Sequence, residues 1–197
     1  MARSTSYSAA RIPPAAAPFD DDVQVRIDAV MHGAPPLTLF TTMARDRRLF
    51  IKYFEGGLLD RGHLTIRQRE IVIDRTTALR GAEYEWGVHV TAFGPAAELT
   101  AAQITSLAHG TPRDSCWTDA ERMLIELCDA LHQRATVDDE LWSRLRAACS
   151  QEAVLELLLL VGFYHTTSFV VNALTLPLEP GMARFDDFPP TAYPRHT

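Results

Sequence analysis

The sequence predicts an all-α fold, and three observations carry that prediction. Apolar residues recur at helical spacing along most of the chain. A helix-start pattern, in which Thr is followed three residues later by Gln or Glu, occurs at Thr65 with Gln68, Thr100 with Gln103 and Thr118 with Glu121. No segment alternates with period two for long enough to make a strand. The expected layout is an arm over residues 1–19, one compact multi-helix domain over 20–176 built around an antiparallel helix hairpin, and a Pro-rich tail over 177–197.

Each element has a local reason. Residues 1–19, rich in Ala, Pro and Ser, read as a flexible or strap-like arm. Val23, Ile27 and Val30 step at helical spacing until Gly33 and Pro35-Pro36 stop the helix, and Asp20 to Asp22 supply acidic groups for its N-terminus. Residues 37–45 and 47–59 give two short helical segments, the second broken near Gly56-Gly57. The three Thr signals open helices over about 65–80, 100–108 and 118–134, and Gly81 and Gly94 bracket another over about 82–93. Two more follow near 138–148 and 151–174. The tail carries Pro177, Pro180, Pro189, Pro190 and Pro194 and reads as a loop.

Composition excludes several function classes. With 47% hydrophobic and 22% charged residues in 197, the chain can bury a real core. A formal net charge of −6 with scattered arginines gives no basic surface for a phosphate backbone, so no nucleic-acid partner is expected. Cys116, Cys128 and Cys149 have neither metal-ligand nor Cys-x-x-Cys spacing and read as reduced packing residues. The first residues lack the apolar run of a signal peptide, so the expected location is the cytoplasm. Val154 to Leu176 is long enough to span a bilayer, yet it carries Glu156, His165 and Asn172 and reads as a core or interface helix, with no membrane partner.

The chemistry concentrates in Leu64 to Pro95. On a helix over 82–93, Ala82, Glu85, His89 and Ala92 share one stripe, with Trp86, Val90 and Phe93 beside it. Two ionisable groups therefore lie on an otherwise small or apolar face. At i, i+4 spacing they attract one another while burial disfavours both charges, so the pair titrates as a unit suited to proton transfer. Glu70, among Ile66, Ile71, Val72 and Ile73 on the preceding helix, could face His89 across the turn at Gly81. The alternative is an ordinary surface pair, with Glu70 engaged by Arg67. Glu70, Glu85 and His89 could also ligate zinc, but no second histidine stands at ligand spacing, and a metal-free, cofactor-free relay is preferred.

RQRE at the start of one helix and GAEYEWGVH at the start of the next resemble the core of the carboxymuconolactone decarboxylase and alkylhydroperoxidase D superfamily. The likeness runs loosely on through Glu98 to Leu107, and VGFYHTTSFVVNALTLPLEP resembles the closing helix of many members. In the peroxidase branch the resemblance implies a relay of a glutamate, a Cys-x-x-Cys pair and a histidine. Here the glutamate falls on Glu70 and the histidine on His89, while the cysteine positions fall on Ala82 and Glu85. Neither alanine nor a carboxylate can cycle through sulfenic acid and disulfide, so thiol peroxidase activity is not expected.

The decarboxylase branch needs no cysteine pair and acts on a small carboxylated lactone. That resemblance implies a cofactor-independent lyase or isomerase and a homo-oligomer with sites near subunit contacts. His89 is then the acid that protonates a carbanion or dienolate, Glu85 or Glu70 tunes it, and Tyr84 donates to developing oxyanion charge. Arg67 or Arg75 would hold the substrate carboxylate. Trp86 reads as packing or as a pocket wall, and His165 as a core histidine with a pocket-lining role open to it. A degenerate redox site, or a binding and assembly role without catalysis, stays open as the alternative.

Overall fold

The computed structural model describes residues 10–190, and all regular structure among them is helical. Nine α-helices follow one another among these residues: α1 (Asp21–Met31), α2 (Thr38–Met43), α3 (Arg47–Glu55), α4 (Ile66–Leu79), α5 (Glu83–Phe93), α6 (Ala101–His109), α7 (Asp119–Arg134), α8 (Asp139–Ala148) and α9 (Gln151–Ala173). All three Thr signals form complete capping boxes, at the starts of α4, α6 and α7. The turn from α4 into α5 needs its glycine. Gly81 has φ +60, and the amide of Ala82 reaches back to the Thr77 carbonyl at 2.9 Å, which ends α4 in a left-handed residue.

Helix α4 is the hub, packed by α5, α6, α7 and α9. Its residues Glu70 to Thr77 are all buried, so no face of that stretch is left for water. The main core joins Ile71, Val72 and Ile73 of α4 to Leu124, Leu127 and Cys128 of α7. Leu157, Leu160 and Tyr164 bring α9 into the same cluster, while Leu155, Leu159 and Phe169 stay exposed on its outer face. Helix α9 is long and apolar enough to cross a membrane by length and composition, and here its inner face packs on α4.

Both flanking segments are tied down where they are described. Arg11 donates its backbone N–H to Leu174 at 2.9 Å and its guanidinium to Ala173 at 3.0 Å, so this part of the arm straps the end of α9. The tail crosses α5 at Gly87, where an added Cβ would stand 2.3 Å from the Ala183 carbonyl oxygen. It then turns through a short 3-10 helix, Phe185–Asp187, whose Phe185 ring packs 4.6 Å from Trp86. The remaining parts of the arm and tail, residues 1–9 and 191–197, lie outside the described residues.

Candidate active site

The α4–α5 hairpin brings Glu70 against His89. Glu70 is fully buried, and its Oε2 accepts a hydrogen bond from His89 Nδ1 at 2.7 Å. Its other oxygen accepts from Arg69 Nε at 3.0 Å. Arg69 also donates to the Leu59 carbonyl at 3.0 Å and lies 5.7 Å from the centre of the Phe93 ring. The far nitrogen of the imidazole, Nε2, lies 3.1 Å from the Tyr164 hydroxyl and 3.5 Å from Glu85 Oε1. Because Nδ1 donates to Glu70, Nε2 is the nitrogen that changes state: protonated it donates to Tyr164, and deprotonated it accepts from that hydroxyl.

The electrostatics favour a charged imidazole. Burial works to lower the His89 pKa, but the charge and hydrogen bond of Glu70, aided by Glu85, outweigh it and hold the group up at about 10. His89 is thus an imidazolium at neutral pH. Asp74, one turn along α4, behaves in the opposite sense. Burial first, and then the Glu70 charge, push its carboxyl well above the usual range, which favours its neutral form; neither of its oxygens has a partner among the described residues. Burial and the Glu85 charge likewise push the Tyr164 and Tyr53 hydroxyls up, keeping both as O–H groups.

This cluster opens on a cavity of about 580 Å³. Leu37, Phe40, Phe54 and Phe163 make its body apolar, while Glu85, His89 and Tyr164 form its buried end. Glu55 and Asp60, both exposed, supply further acidic groups, and no Arg or Lys is among the described lining residues. Glu70 lies behind His89, outside the lining. No group of three or more His, Cys, Asp or Glu among the described residues is arranged to hold a metal ion.

The residues expected to bind substrate lie elsewhere. Arg67 pairs with Glu121 at 2.6 Å and donates to the carbonyls of Ala97 and Glu98, clamping the α5–α6 connection. Arg75 grips Asp129 through two nitrogens, at 2.7 and 3.1 Å, and caps the Leu107 and Gly110 carbonyls. Tyr84 donates to Glu179 at 2.5 Å and accepts from the Leu39 amide at 3.0 Å, pinning the tail to α2. Trp86 packs with Val90, Ile104 and Phe185 on the far side of α5. The His165 ring faces His132 at 5.7 Å, and burial lowers its pKa. None of the five lines the cavity.

Two participants escaped the sequence reading. The buried positions of α9 run Leu157, Leu160, Val161, Tyr164 and Ser168, so the inward stripe passes through Tyr164 and leaves His165 off it. The sequence offers little signal for that face, because apolar residues surround α9. Arg69 gave none, because its contact with Glu70 depends on how a long side chain folds back beside its own neighbour.

No protein-family model matches the chain, and no curated protein matches it. Solved structures do. An uncharacterised peroxidase-related protein from Ralstonia eutropha JMP134, described as an alkylhydroperoxidase AhpD core, superposes with a TM-score of 0.71 at 20% identity, covering 90% of this chain and 94% of that one. A peroxidase-related protein from Silicibacter sp. TM1040 gives 0.72 at 15% identity, covering 94% and 99%. The debrominase Bmp8, solved as a cysteine-to-alanine variant with 2,3,4-tribromopyrrole, gives 0.71 at 13% identity, covering 86% and 91%. The fold is that of the alkylhydroperoxidase D-like proteins. Within this alkylhydroperoxidase D-like frame, the positions that the resemblance gives to cysteines hold Ala82, fully buried, and Glu85, facing the cavity. The cysteines the chain does have are remote: the buried Cys128 thiol donates to the Val72 carbonyl at 3.8 Å, and neither Cys116 nor Cys149 lines the cavity.

Proposed function

We propose that the protein is a cofactor-independent acid–base enzyme, a lyase or isomerase, acting on a small and largely apolar ring compound, with His89 moving the proton. The observation that carries this reading is the Glu70–His89 pair, met by Tyr164 and Glu85, at the buried end of an apolar cavity. An imidazolium held at about 10 is a weak acid, matched to a strongly basic acceptor such as a carbanion or dienolate carbon. Nε2 delivers its proton to that carbon. The neutral ring left behind keeps its Nδ1–H on Glu70 and accepts from the Tyr164 hydroxyl, and in reverse the same nitrogen takes a proton from carbon.

The carboxylated lactone of the sequence reading fits less well. Arg67 and Arg75 are engaged elsewhere, and His89 is the one cation in the described lining. Self-association belongs to the same proposal, supported by the exposed Leu155, Leu159 and Phe169 on α9 and read by light scattering on the purified chain. The test of the activity is turnover, or deuterium uptake from heavy water, across a panel of small lactones and enolisable ring ketones. His89→Ala should lower the rate by about 100-fold or more on any compound that the wild type processes. An unchanged rate would end the proposal.

A further inference from the structure

Glu85 holds an acceptor that the protein does not use. Its side chain is 8% exposed, its Oε1 makes only a 3.5 Å contact with His89, and its Oε2 is buried without a hydrogen-bond partner among the described residues. Leaving a carboxylate desolvated and short of partners is costly, and because Glu85 lines the cavity, the part of its side chain that remains exposed there marks a place for a donor. The negative charge itself is supported on the protein side by the His89 imidazolium and by the first turn of α5, where Glu85 sits. What is missing is an N–H or O–H from the cavity side.

The rest of the lining narrows the partner. Leu37, Phe40 and Phe163 offer only apolar contact. Three acidic groups, Glu55, Asp60 and Glu85, outnumber the one cation in the described lining, His89, which Glu70 and Glu85 already neutralise, so the cavity disfavours an anion. We propose that the Glu85 carboxylate is the hydrogen-bond acceptor for the ligand, so that the cavity selects apolar rings bearing an N–H or O–H donor and rejects carboxylated ones. This rests on reading the cavity as the substrate site and narrows its substrate class.

Binding needs no turnover, which separates the two claims. Calorimetry on the full chain at neutral pH compares matched probes: indole with 1-methylindole, 4-chlorophenol with 4-chloroanisole, and indole with indole-3-acetate. Each donor should bind roughly tenfold tighter than its methylated partner, the value of one charge-assisted hydrogen bond. The acetate should bind more weakly than indole. Glu85→Leu should erase the preference, and Glu85→Gln, which keeps a carbonyl acceptor, should restore part of it. Equal affinity within the pairs, tighter binding of the anion, no binding of either donor at millimolar concentration, or a preference that survives Glu85→Leu would each overturn the assignment. If the leucine variant does not fold, the wild-type pairs decide alone. Failure here with His89-dependent turnover intact removes only the role of Glu85; loss of that dependence with the preference intact removes only the catalytic reading.

Discussion

Replacing Glu70 by Gln removes one charge from the centre of the protein and leaves its shape. Glu70 is fully buried and serves two cations, His89 at 2.7 Å and Arg69 at 3.0 Å. Removing one partner from a buried ion pair costs about 3–5 kcal/mol. The lower end, about 3 kcal/mol, is expected, because Arg69 keeps the Leu59 carbonyl and His89 is free to release its proton. Without Glu70, burial becomes the main influence on the imidazole and pulls its pKa from about 10 back toward or below the ordinary value near 6.5.

The pH dependence of stability follows with a definite sign. A histidine whose folded pKa exceeds its unfolded value binds its proton more tightly in the native state. Its stabilisation is complete below about pH 6.5 and is lost as the pH climbs toward about 10. Asp74 acts in the same direction, since burial raises its native carboxyl pKa above that of the unfolded chain, and the stability this contributes is lost as pH rises through the folded value. Urea unfolding between pH 6 and 10, with nitrogen-detected imidazole spectra, reads both effects. Wild-type His89 should remain doubly protonated at about pH 8 and stability should fall as pH rises; in Glu70→Gln the ring should be neutral there and the slope shallower. A wild-type His89 that titrates near 6.5, or a titration that ignores Glu70→Gln, would refute the reasoning.

Two further substitutions separate structure from function. Arg75→Ala removes the two-point grip on Asp129 and two carbonyl caps, so it should lower stability by about 3 kcal/mol in denaturant titrations while leaving ligand affinity unchanged. Gly87→Ala places a Cβ against the Ala183 backbone oxygen, which has no flexible side chain to yield. It should cost about 1–3 kcal/mol and raise hydrogen exchange across residues 182–188 with little change in α4.

The sequence carried the helices well where local chemistry decides them. A Thr that caps its own helix acts within three residues, so Thr65, Thr100 and Thr118 announced their helices without tertiary help. The facing of Glu70 and His89 was legible for a related reason: a short turn at Gly81 forces α4 and α5 to lie side by side. The places of the expected substrate-binding residues were not legible where the deciding partner is distant in sequence. Nothing near Arg75 reveals that Asp129 will meet it, and nothing near Tyr84 reveals that Glu179 returns over α5 to take its hydroxyl. Trp86 follows Glu85 by one position, about 100° round the helix, which turns it away from the cavity toward Phe185. On α9 the apolar residues surround the helix, so the pattern alone did not single out Tyr164 as the residue that reaches His89.

The most direct test of a sulfur-free proton relay sets two variants side by side on the first ring compound the wild type turns over. A chain with Cys116, Cys128 and Cys149 all replaced by alanine should keep its rate within about twofold, because none of these thiols reaches the cavity, while His89→Ala should lose about 100-fold or more. Activity that vanishes with the cysteines and persists without the imidazole would contradict the account.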